Sequence, residues 1–400
     1  MNALPPLALY IHVPWCVRKC PYCDFNSHAK RGELPEAEYV AALLRDLEQD
    51  LPLVWGRTVS SIFFGGGTPS LLGAAAIGAI LEGVAARLRL SPGLEVTLEA
   101  NPGTAEHDRF EGYRAAGVNR ISFGIQSFDD GCLARLGRIH DAAQAVRAVQ
   151  QAQDAGFDNL NLDLMYALPG QDLAMAEADV ERAIALAPAH ISHYQLTLEP
   201  NTLFHARPPK GLPDDDLAFT MQESCQARLA AAGYEQYEVS AYARAGKVCQ
   251  HNLNYWRFGD YLGIGAGAHG KLSLPAEGRI LRRWKCRHPQ DYLRRAGSPQ
   301  AIGGEETLPA ERLAFEFMLN ALRLGEGFGL ELFEARTGQP AQAILPTLER
   351  LRGRGLMACE GGRWRPTPFG ARFLNDVIAA FLPDPRRAAP GQAAPVGART

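Results

Sequence analysis

Three cysteines lie within eight residues near the amino terminus of the chain, at Cys16, Cys20 and Cys23. Cysteine thiolates hold cubane iron–sulfur clusters, which four of them normally close. Three thiolates would leave one iron without a protein ligand, and an open position on a metal is where a small molecule can bind and react. The spacing therefore predicts a [4Fe-4S] cluster with one exchangeable position.

Two other interpretations of these cysteines stay open at this point. His12 or His28 could complete a tetrahedral zinc site with them, and free cysteines also pack as small hydrophobic groups. A zinc knuckle usually pairs two such loops, and no second CxxC follows in the sequence. With only 8 cysteines in 400 residues, chance clustering of three is disfavoured, so the cluster is the preferred interpretation.

Composition narrows the class of protein further. The chain is 46% hydrophobic and 21% charged, which is typical of a globular protein. Its formal net charge of -3 disfavours a general nucleic-acid binder, since those proteins usually carry a basic surplus. The sequence opens on Met1 and reaches Pro5 without a signal-peptide pattern, and no apolar stretch is long enough to span a bilayer. We therefore expect a cytoplasmic protein with reduced thiols.

Six segments rich in strand-forming residues alternate with segments of helical periodicity, which predicts a parallel α/β fold. Six such units are too few for a closed eight-stranded barrel, so the sequence predicts a partial (β/α)6 barrel. The predicted strands are 8–13, 60–64, 94–99, 120–125, 159–165 and 190–198. The predicted helices are 34–49, 71–88, 104–116, 141–155 and 172–187, with Gly117 and Gly156 as left-handed caps after two of them.

Polar and glycine-rich segments follow these strands at their carboxyl ends, where barrels of this class bind their ligands. The cysteine loop follows the first strand, and the run Gly65-Gly66-Gly67-Thr68 follows the second. Glu99, Gln126 and Asp163 end the next three strands, and Arg138 adds a cation near the same edge. Glycine lets the backbone approach a ligand without obstruction by Cβ, and the polar side chains suit a ribose, an adenine and a carboxylate.

The second half of the chain is organised differently. We predict a helix over 214–232, a strand over 234–242 and a loop rich in histidine, aromatic residues and glycine over 249–270. Residues 310–324, 330–336 and 341–354 are predicted helices that precede a hairpin at Gly361-Gly362, which resembles a small winged-helix unit. The predicted domains are 1–205 for the barrel, 206–300 for its extension, 308–381 for the mainly helical C-terminal domain and 384–400 for a disordered tail.

The motifs together resemble the radical S-adenosylmethionine (SAM) family, and more narrowly its branch of anaerobic coproporphyrinogen oxidases and HemW-type heme chaperones. The resemblance runs from Tyr10 to about Phe373. It rests on Cys16-x-x-x-Cys20-x-Tyr22-Cys23, Gly65-Gly-Gly-Thr68-Pro69, Glu99-Ala-Asn-Pro102, Gly124-Ile-Gln126-Ser-Phe128 and Asp163-Leu-Met-Tyr-Ala-Leu-Pro169-Gly170-Gln171.

The resemblance implies roles for individual residues. It makes Cys16, Cys20 and Cys23 the ligands of a [4Fe-4S] cluster whose fourth iron is chelated by SAM. The residues that it implies as SAM contacts, or that lie beside them, are Tyr10, Tyr22, Gly66, Gly67, Thr68, Glu99, Gln126, Arg138 and Asp163.

Two departures favour the heme chaperones over the oxidases. The oxidases carry a further cysteine two residues past the third, where this chain has Phe25. They also carry a long segment before the cluster loop, whereas here the first predicted strand begins within about ten residues of Met1. The stretch from His251 to Trp256 looks like the HNxxYW motif of the chaperones. It implies His251 as a heme ligand, since histidine is a common axial ligand of heme iron, with Cys249 as a weaker candidate for the second ligand.

The leading expectation is thus a chaperone that binds heme and passes it to acceptor proteins, which could include respiratory enzymes. The alternatives are an oxygen-independent coproporphyrinogen III oxidase and, third, a winged-helix transcription factor. Whether SAM is cleaved, and whether the chain forms a homodimer, stays open. The string Gly265 to Gly270 fits GxGxxG, but no helix is predicted after it, so we expect a glycine-rich turn and no dinucleotide site.

Overall fold

A computed structural model describes residues 4–104 and 107–383 of the chain. These residues form two compact units, one spanning Leu4–Thr307 and the other beginning at Leu308. The predicted segments 1–205 and 206–300 lie largely within the first unit, and their separation stays a prediction. The predicted disordered tail at 384–400 lies outside the described residues.

A twelve-stranded mixed sheet organises the first unit, in the order β14-β13-β12-β11-β1-β4-β5-β6-β7-β8-β10-β9. Neighbouring strands from β11 to β8 in this order are parallel, and the strands at both edges are antiparallel. The short strands β2 and β3 pair separately. The bounds are β1 Leu7–Val13, β2 Trp15–Cys16, β3 His28–Ala29, β4 Thr58–Gly66, β5 Arg89–Ala100, β6 Arg120–Gln126, β7 Leu160–Tyr166, β8 His190–Gln195, β9 Glu235–Glu238, β10 Ala241–Ala243, β11 Asp260–Ile264, β12 His269–Leu274, β13 Arg279–Lys285 and β14 Ile302–Thr307.

Helices connect the parallel strands. Helix α5 is an example of how such a helix begins, because Asp141 at its N-cap and Gln144 in its first turn form a capping box. Gly117 and Gly156 follow α3 and α5 with φ angles of 108° and 87°, which confirms the predicted left-handed caps. The bounds are α1 Glu36–Asp50, α2 Ala74–Ala85, α3 His107–Ala115, α4 Asp130–Arg135, α5 Ala142–Asp154, α6 Leu173–Ala185, α7 Leu203–Ala206, α8 Asp215–Ala231, α9 Gln250–Trp256 and α10 Pro289–Arg295.

Strand β1 shows how the sheet separates its core face from its functional face. Leu7, Leu9 and Ile11 belong to the large hydrophobic core, whereas Tyr10 and His12 between and beyond them do not. Successive side chains of a strand point to opposite faces. Tyr10 therefore faces the opposite side from the core, where its ring lies 6.4 Å from that of Phe63.

The predicted α/β class and the six predicted strands are confirmed, because β1 and β4 to β8 overlap them and are parallel. The predicted loop over 249–270 is wrong, since α9, β11 and part of β12 occupy it. The predicted strand over 234–242 is two antiparallel strands, β9 and β10. Strand β11 pairs with β1 in parallel, so the sheet has a seventh parallel strand. Gly265 and Gly267 lie in the turn between β11 and β12, and no helix follows them.

The second unit combines helices with a small sheet of order β15-β17-β16. Its hairpin turns at Gly361 and Gly362, as predicted, and both glycines have positive φ angles. The bounds are α11 Leu313–Ala321, β15 Phe328–Gly329, α12 Leu330–Thr337, α13 Leu345–Gly353, β16 Met357–Glu360, β17 Arg363–Pro366, α14 Pro368–Arg372 and α15 Leu374–Ala379. Within the described ranges, no helix has the length and apolar character needed to cross a bilayer.

Candidate functional site

The cysteine loop begins on β2 and ends at β3, which runs parallel to β2. Cys16 is buried on β2, which pairs with β3 through Cys16 and Ala29. A backbone bond of 3.2 Å from the amide of Cys23 to the carbonyl of Cys20 tightens the turn between them. All eight cysteines of the chain are free thiols. The loop therefore presents three unpaired cysteines.

Burial is the main influence on the pKa values of two of these thiols. Burial raises the pKa of Cys16, and the charges of Cys23 and Cys20 raise it further, while hydrogen bonds from Thr68 and Ser27 lower it. Burial likewise raises the pKa of Cys23. Metal binding requires thiolates, so a cluster that forms here would displace protons from these thiols.

Arg138 gives the loop a cationic partner. Its Nη1 lies 3.7 Å from Sγ of Cys20, and its Nη2 donates to the carbonyl of Gly124. Its Nε is buried and has no hydrogen-bond partner in the part of the chain that the structure describes. A guanidinium beside a thiolate stabilises the charged ligand, so the donor set and its surroundings fit an anionic iron–sulfur cluster.

The cysteines do not converge on a single point. Among residues 4–104 and 107–383, no three His, Cys, Asp or Glu side chains gather as the ligands of a single metal ion would. In a four-cysteine cubane each thiolate binds its own iron, so cysteine sulfurs around such a cluster stand further apart than those of a mononuclear site.

The glycine run that ends β4 is packed against the strand that carries Cys16. The amide of Gly67 donates to the carbonyl of Val13 and that of Thr68 to the carbonyl of Trp15, both at 2.7 Å. A Cβ on Gly67 would stand 2.5 Å from the Trp15 carbonyl oxygen, and Gly66 has a φ angle of 114°. Glycine is therefore required here for the chain's own close approach, which fixes the cysteine strand in position.

Two acidic side chains lie beside this run. Glu99 on β5 accepts a hydrogen bond of 3.1 Å from the Gly66 amide. Burial, followed by the charge of Asp163, raises the pKa of Glu99 to about 8. Asp163 on β7 accepts from Ser122 at 3.2 Å and from Asn161 at 2.8 Å, and burial raises its pKa as well. A cationic group such as an ammonium would relieve this pair of close carboxyl groups.

We expect Glu99→Gln to remove a pH dependence of stability. The folded pKa near 8 lies above the ordinary value of 4.5, so between these values the folded state keeps a proton that the unfolded state has released. The stability of the unliganded wild-type protein therefore falls as pH rises through this window. Denaturant midpoints measured from about pH 5 to about pH 8 should show a shallower decline for Glu99→Gln. Parallel profiles would contradict the raised pKa.

Residues on β6 and β8 lie at the same edge of the parallel strands as Glu99 and Asp163, and we call this edge the rim. Gln126 ends β6 with a φ angle of 73°, and its Oε1 accepts a hydrogen bond of 2.9 Å from the Tyr194 hydroxyl. Tyr22 packs against Phe204 with ring centroids 6.4 Å apart, and the amide of Phe204 donates to Pro21. Sequence analysis missed Tyr194, although its place near the end of β8 matches that of the other rim residues on their strands.

The structure thus brings most of the predicted site residues to one edge of the parallel strands. Contacts among them join Gly66 to Glu99, Thr68 to Cys16 and Arg138 to Cys20 and Tyr22. Tyr10 joins the same face through a 3.0 Å bond between its hydroxyl and His12. Their roles as cluster ligands and SAM contacts stay predictions.

His251 is buried on α9, next to Phe63, whose ring also stacks with that of Tyr10. Its Nδ1 is 3.0 Å from the Ser61 hydroxyl and its Nε2 is 2.9 Å from the Tyr255 hydroxyl. Its ring stacks on Phe63 with centroids 4.9 Å apart, and only 1% of the residue is exposed. Burial, with the charge of Arg120, lowers the pKa of His251 to about 3, so the ring is neutral. In this conformation both ring nitrogens are occupied, and heme ligation by His251 stays a prediction.

Cys249 is also enclosed. Its Sγ lies 3.4 Å from Glu95, which also accepts from the amides of Gln250 and His251 at 3.1 Å each. Burial and the neighbouring Glu95 raise the pKa of Cys249 to about 12. Glu95 thereby anchors the first turn of α9, a role that sequence analysis missed because the two segments are far apart in the chain.

We expect His251→Ala to destabilise the protein by about 3 kcal/mol, because it leaves two hydroxyl groups without their partner and a cavity beside Phe63. The measurement is the free energy of unfolding in denaturant. His205→Ala is the control, since His205 is exposed and its loss should change stability by less than about 0.5 kcal/mol. Equal stability of the two variants would contradict the contacts of His251.

Two protein-family models match the chain: the radical SAM superfamily over residues 10–183 and the HemN C-terminal domain over residues 308–373. The structure of coproporphyrinogen III oxidase (HemN) from Escherichia coli is similar to it with a TM-score of 0.79 and 22% identity, covering 94% of this chain and 90% of that one. At this identity the likeness shows the fold. The family model over residues 10–183, which includes the cysteine loop, defines the class of this protein as the radical SAM superfamily.

Curated relatives narrow this class. The heme chaperone HemW of Escherichia coli is 51% identical over 382 residues, covering 96% of this chain and 100% of the relative. The heme chaperone HemW of Haemophilus influenzae is 49% identical over 386 residues, covering 96% of this chain and 99% of the relative. The chain therefore belongs to the HemW family.

Proposed function

We propose that this protein is a heme chaperone, which binds heme and transfers it to acceptor proteins. The observation that carries this proposal is the similarity to heme chaperones along nearly the whole chain, at 51% identity. The similarity includes both the barrel and the C-terminal unit, so it does not rest on the radical SAM region alone. We expect the protein to act in the cytoplasm.

The scaffold binds a [4Fe-4S] cluster and SAM. Cys16, Cys20 and Cys23 would hold the cluster, which would supply an electron-transfer centre with one exchangeable ligand position on iron. The carboxyl group of Glu99, which accepts a hydrogen bond from the Gly66 amide, would provide an acceptor for an ammonium group. Arg138 contributes positive charge beside the thiolates, and Gln126 with Tyr194 forms an amide and hydroxyl pair suited to hydrogen bonding with a nucleoside.

Heme is the cargo in this proposal. A heme that is to be handed over must bind where an acceptor protein can reach it, and its two propionates must meet cations. These requirements favour a surface near the rim over the enclosed space around His251. The acceptor must be a protein with an empty heme site, and respiratory enzymes are candidates of this kind.

Hemin titration of the anaerobically reconstituted full-length protein tests heme binding. We expect a saturable Soret band at a defined stoichiometry. Scattered, non-saturating absorbance would overturn the proposal. The HNxxYW prediction has its own test in His251→Gln, which keeps polar groups opposite Ser61 and Tyr255. An unchanged Soret band in that variant would remove His251 from the heme site.

The competing activity is oxidative decarboxylation of coproporphyrinogen III. Phe25 occupies the position at which the oxidases carry their further cysteine, so this chain lacks part of their pattern. We expect no protoporphyrinogen from the reconstituted protein supplied with SAM and a reductant under anaerobic conditions. Turnover in this assay would favour the oxidase.

A further inference from the structure

Strand β6 ends irregularly at the rim. Its pairing with β5 stops at Phe123, and its register with β7 shifts between Gly124 and Gln126. Gln126 has a φ angle of 73°, in the left-handed region that residues with a side chain rarely adopt. A bulge of this kind disrupts the hydrogen bonding between strands. Other contacts must therefore hold the end of β6 in this conformation.

Two side chains supply such contacts, and both come from the connection between α4 and α5. Arg138 donates from its Nη2 to the carbonyl of Gly124. His140 lies two residues further along the chain, and its Nε2 is 3.0 Å from the carbonyl oxygen of Ile125. Each of the two carbonyls that precede Gln126 is thus bonded to one of these side chains.

The chemistry of the acceptor fixes the state of the His140 ring. A carbonyl oxygen only accepts hydrogen bonds, so Nε2 carries the proton and Nδ1 has a lone pair. Burial, followed by the charge of Arg138, lowers the pKa of His140 to about 4, so the ring is neutral near pH 7. Its Nδ1 is buried and has no hydrogen-bond partner among the described residues. The ring therefore bonds to this part of the protein through its Nε2–H group alone.

The surroundings of His140 leave the ring little freedom. Only 4% of the residue is exposed. A Cβ on Gly103, in the loop after β5, would stand 3.3 Å from the Cβ of His140, so this loop packs closely on it. The next residue is the N-cap of α5, which ties the backbone to that helix. His140 thus lies close to both the loop that follows Glu99 and the strand that ends at Gln126.

We propose that His140 is a positioning residue of the SAM site. By holding the carbonyl of Ile125, it keeps Gln126 in the left-handed conformation in which its side chain meets the Tyr194 hydroxyl at the rim. The inference rests on the SAM site proposed at the rim, where the Gln126 amide is suited to hydrogen bonding with a nucleoside. His140 acts through Gln126 rather than on the ligand, and it transfers no proton or electron.

The test compares equilibrium binding of SAM by the anaerobically reconstituted wild type, His140→Leu and His140→Gln. Leucine fills the site without an N–H donor, whereas the amide of glutamine reaches about as far as Nε2 and still donates to Ile125. We expect His140→Leu to bind SAM about tenfold more weakly, which corresponds to about 1.4 kcal/mol and is the order expected for a carbonyl left without its donor. His140→Gln should stay within about threefold of the wild type.

Free methionine gives a readout that separates positioning from a general loss of order. Methionine lacks the nucleoside that Gln126 would bind, so its affinity should be equal in the wild type and in both variants. A general loss of order at the site would weaken both ligands. Iron and sulfide content and the denaturant midpoint of each variant show whether cluster and fold are intact. If His140→Leu does not fold, His140→Asn takes its place, because its shorter amide stays polar but does not reach Ile125.

His193→Leu is the matched control. His193 is also 4% exposed, and its ring stacks on Tyr166 with centroids 4.8 Å apart. It precedes Tyr194 on β8, so its side chain lies on the opposite face of the strand. Its loss should leave the affinity for SAM unchanged, whatever its effect on stability.

Three results would overturn the inference and leave the heme-chaperone proposal standing. They are wild-type SAM affinity in His140→Leu, a loss in His140→Gln or His193→Leu as large as that in His140→Leu, and an equal loss of methionine binding. A wild-type protein that binds SAM but no hemin would overturn the heme-chaperone proposal and leave the role of His140 standing.

Discussion

Cys20→Ser is expected to leave less than about a tenth of the iron and sulfide that the wild-type protein holds after anaerobic reconstitution. Cys20 is one of three cysteines in the loop, and Nη1 of Arg138 lies 3.7 Å from its sulfur. A serine oxygen is a hard ligand that suits iron–sulfur chemistry poorly. With one thiolate gone, two remain to hold a cluster that normally needs at least three.

The control for this prediction is Cys359→Ser. Cys359 is a half-buried free thiol on β16 in the second unit, outside the loop. It should retain wild-type iron and sulfide and the same visible spectrum. If Cys20→Ser also retained them, or if the wild type contained zinc and no labile sulfide, the assignment of the loop to a cluster would be wrong.

Gly67→Ala is expected to destabilise the protein by about 2 kcal/mol or more and to abolish SAM binding. The added Cβ would lie 2.5 Å from the carbonyl oxygen and 2.8 Å from the carbonyl carbon of Trp15. These are backbone atoms of β2, so the collision cannot be relieved by rotating a side chain. The strand that carries Cys16 must shift, and the cluster ligands shift with it.

Gly73→Ala provides a matched control in the same connection. A Cβ on Gly73 would be no closer than 3.4 Å to Glu36, an ordinary contact distance, and its φ angle of -67° suits alanine. Equilibrium binding of SAM and unfolding in denaturant should separate the two variants clearly. Equal behaviour would show that the approach of Gly67 to Trp15 does not position the cysteine strand.

The parallel strands were predictable because their signals are local. Strands β1 and β4 to β8 each contain a run of apolar residues, and a helix follows most of them along the chain. The region over 249–270 was not predictable in this way. Helix α9 has only seven residues, and its first turn depends on Glu95, which is more than 150 residues away. Strand β11 is likewise short, with five residues that include Gly263.

The residues of the site also differ in whether the sequence alone could identify them. The cysteine spacing and the glycine run identified their region from the sequence, because their chemistry is written in consecutive residues. His251 was chosen on a motif, yet the structure shows its nitrogens bonded to Ser61 and Tyr255.

Heme transfer tests the central claim most directly. The reconstituted protein, loaded with one equivalent of hemin, is mixed with an excess of an apo-heme protein, and the acceptor's Soret band is followed with time. We predict transfer whose rate rises with acceptor concentration and exceeds that from a hemin–albumin complex. A rate that is independent of acceptor concentration and equal to passive release would contradict the proposed chaperone function.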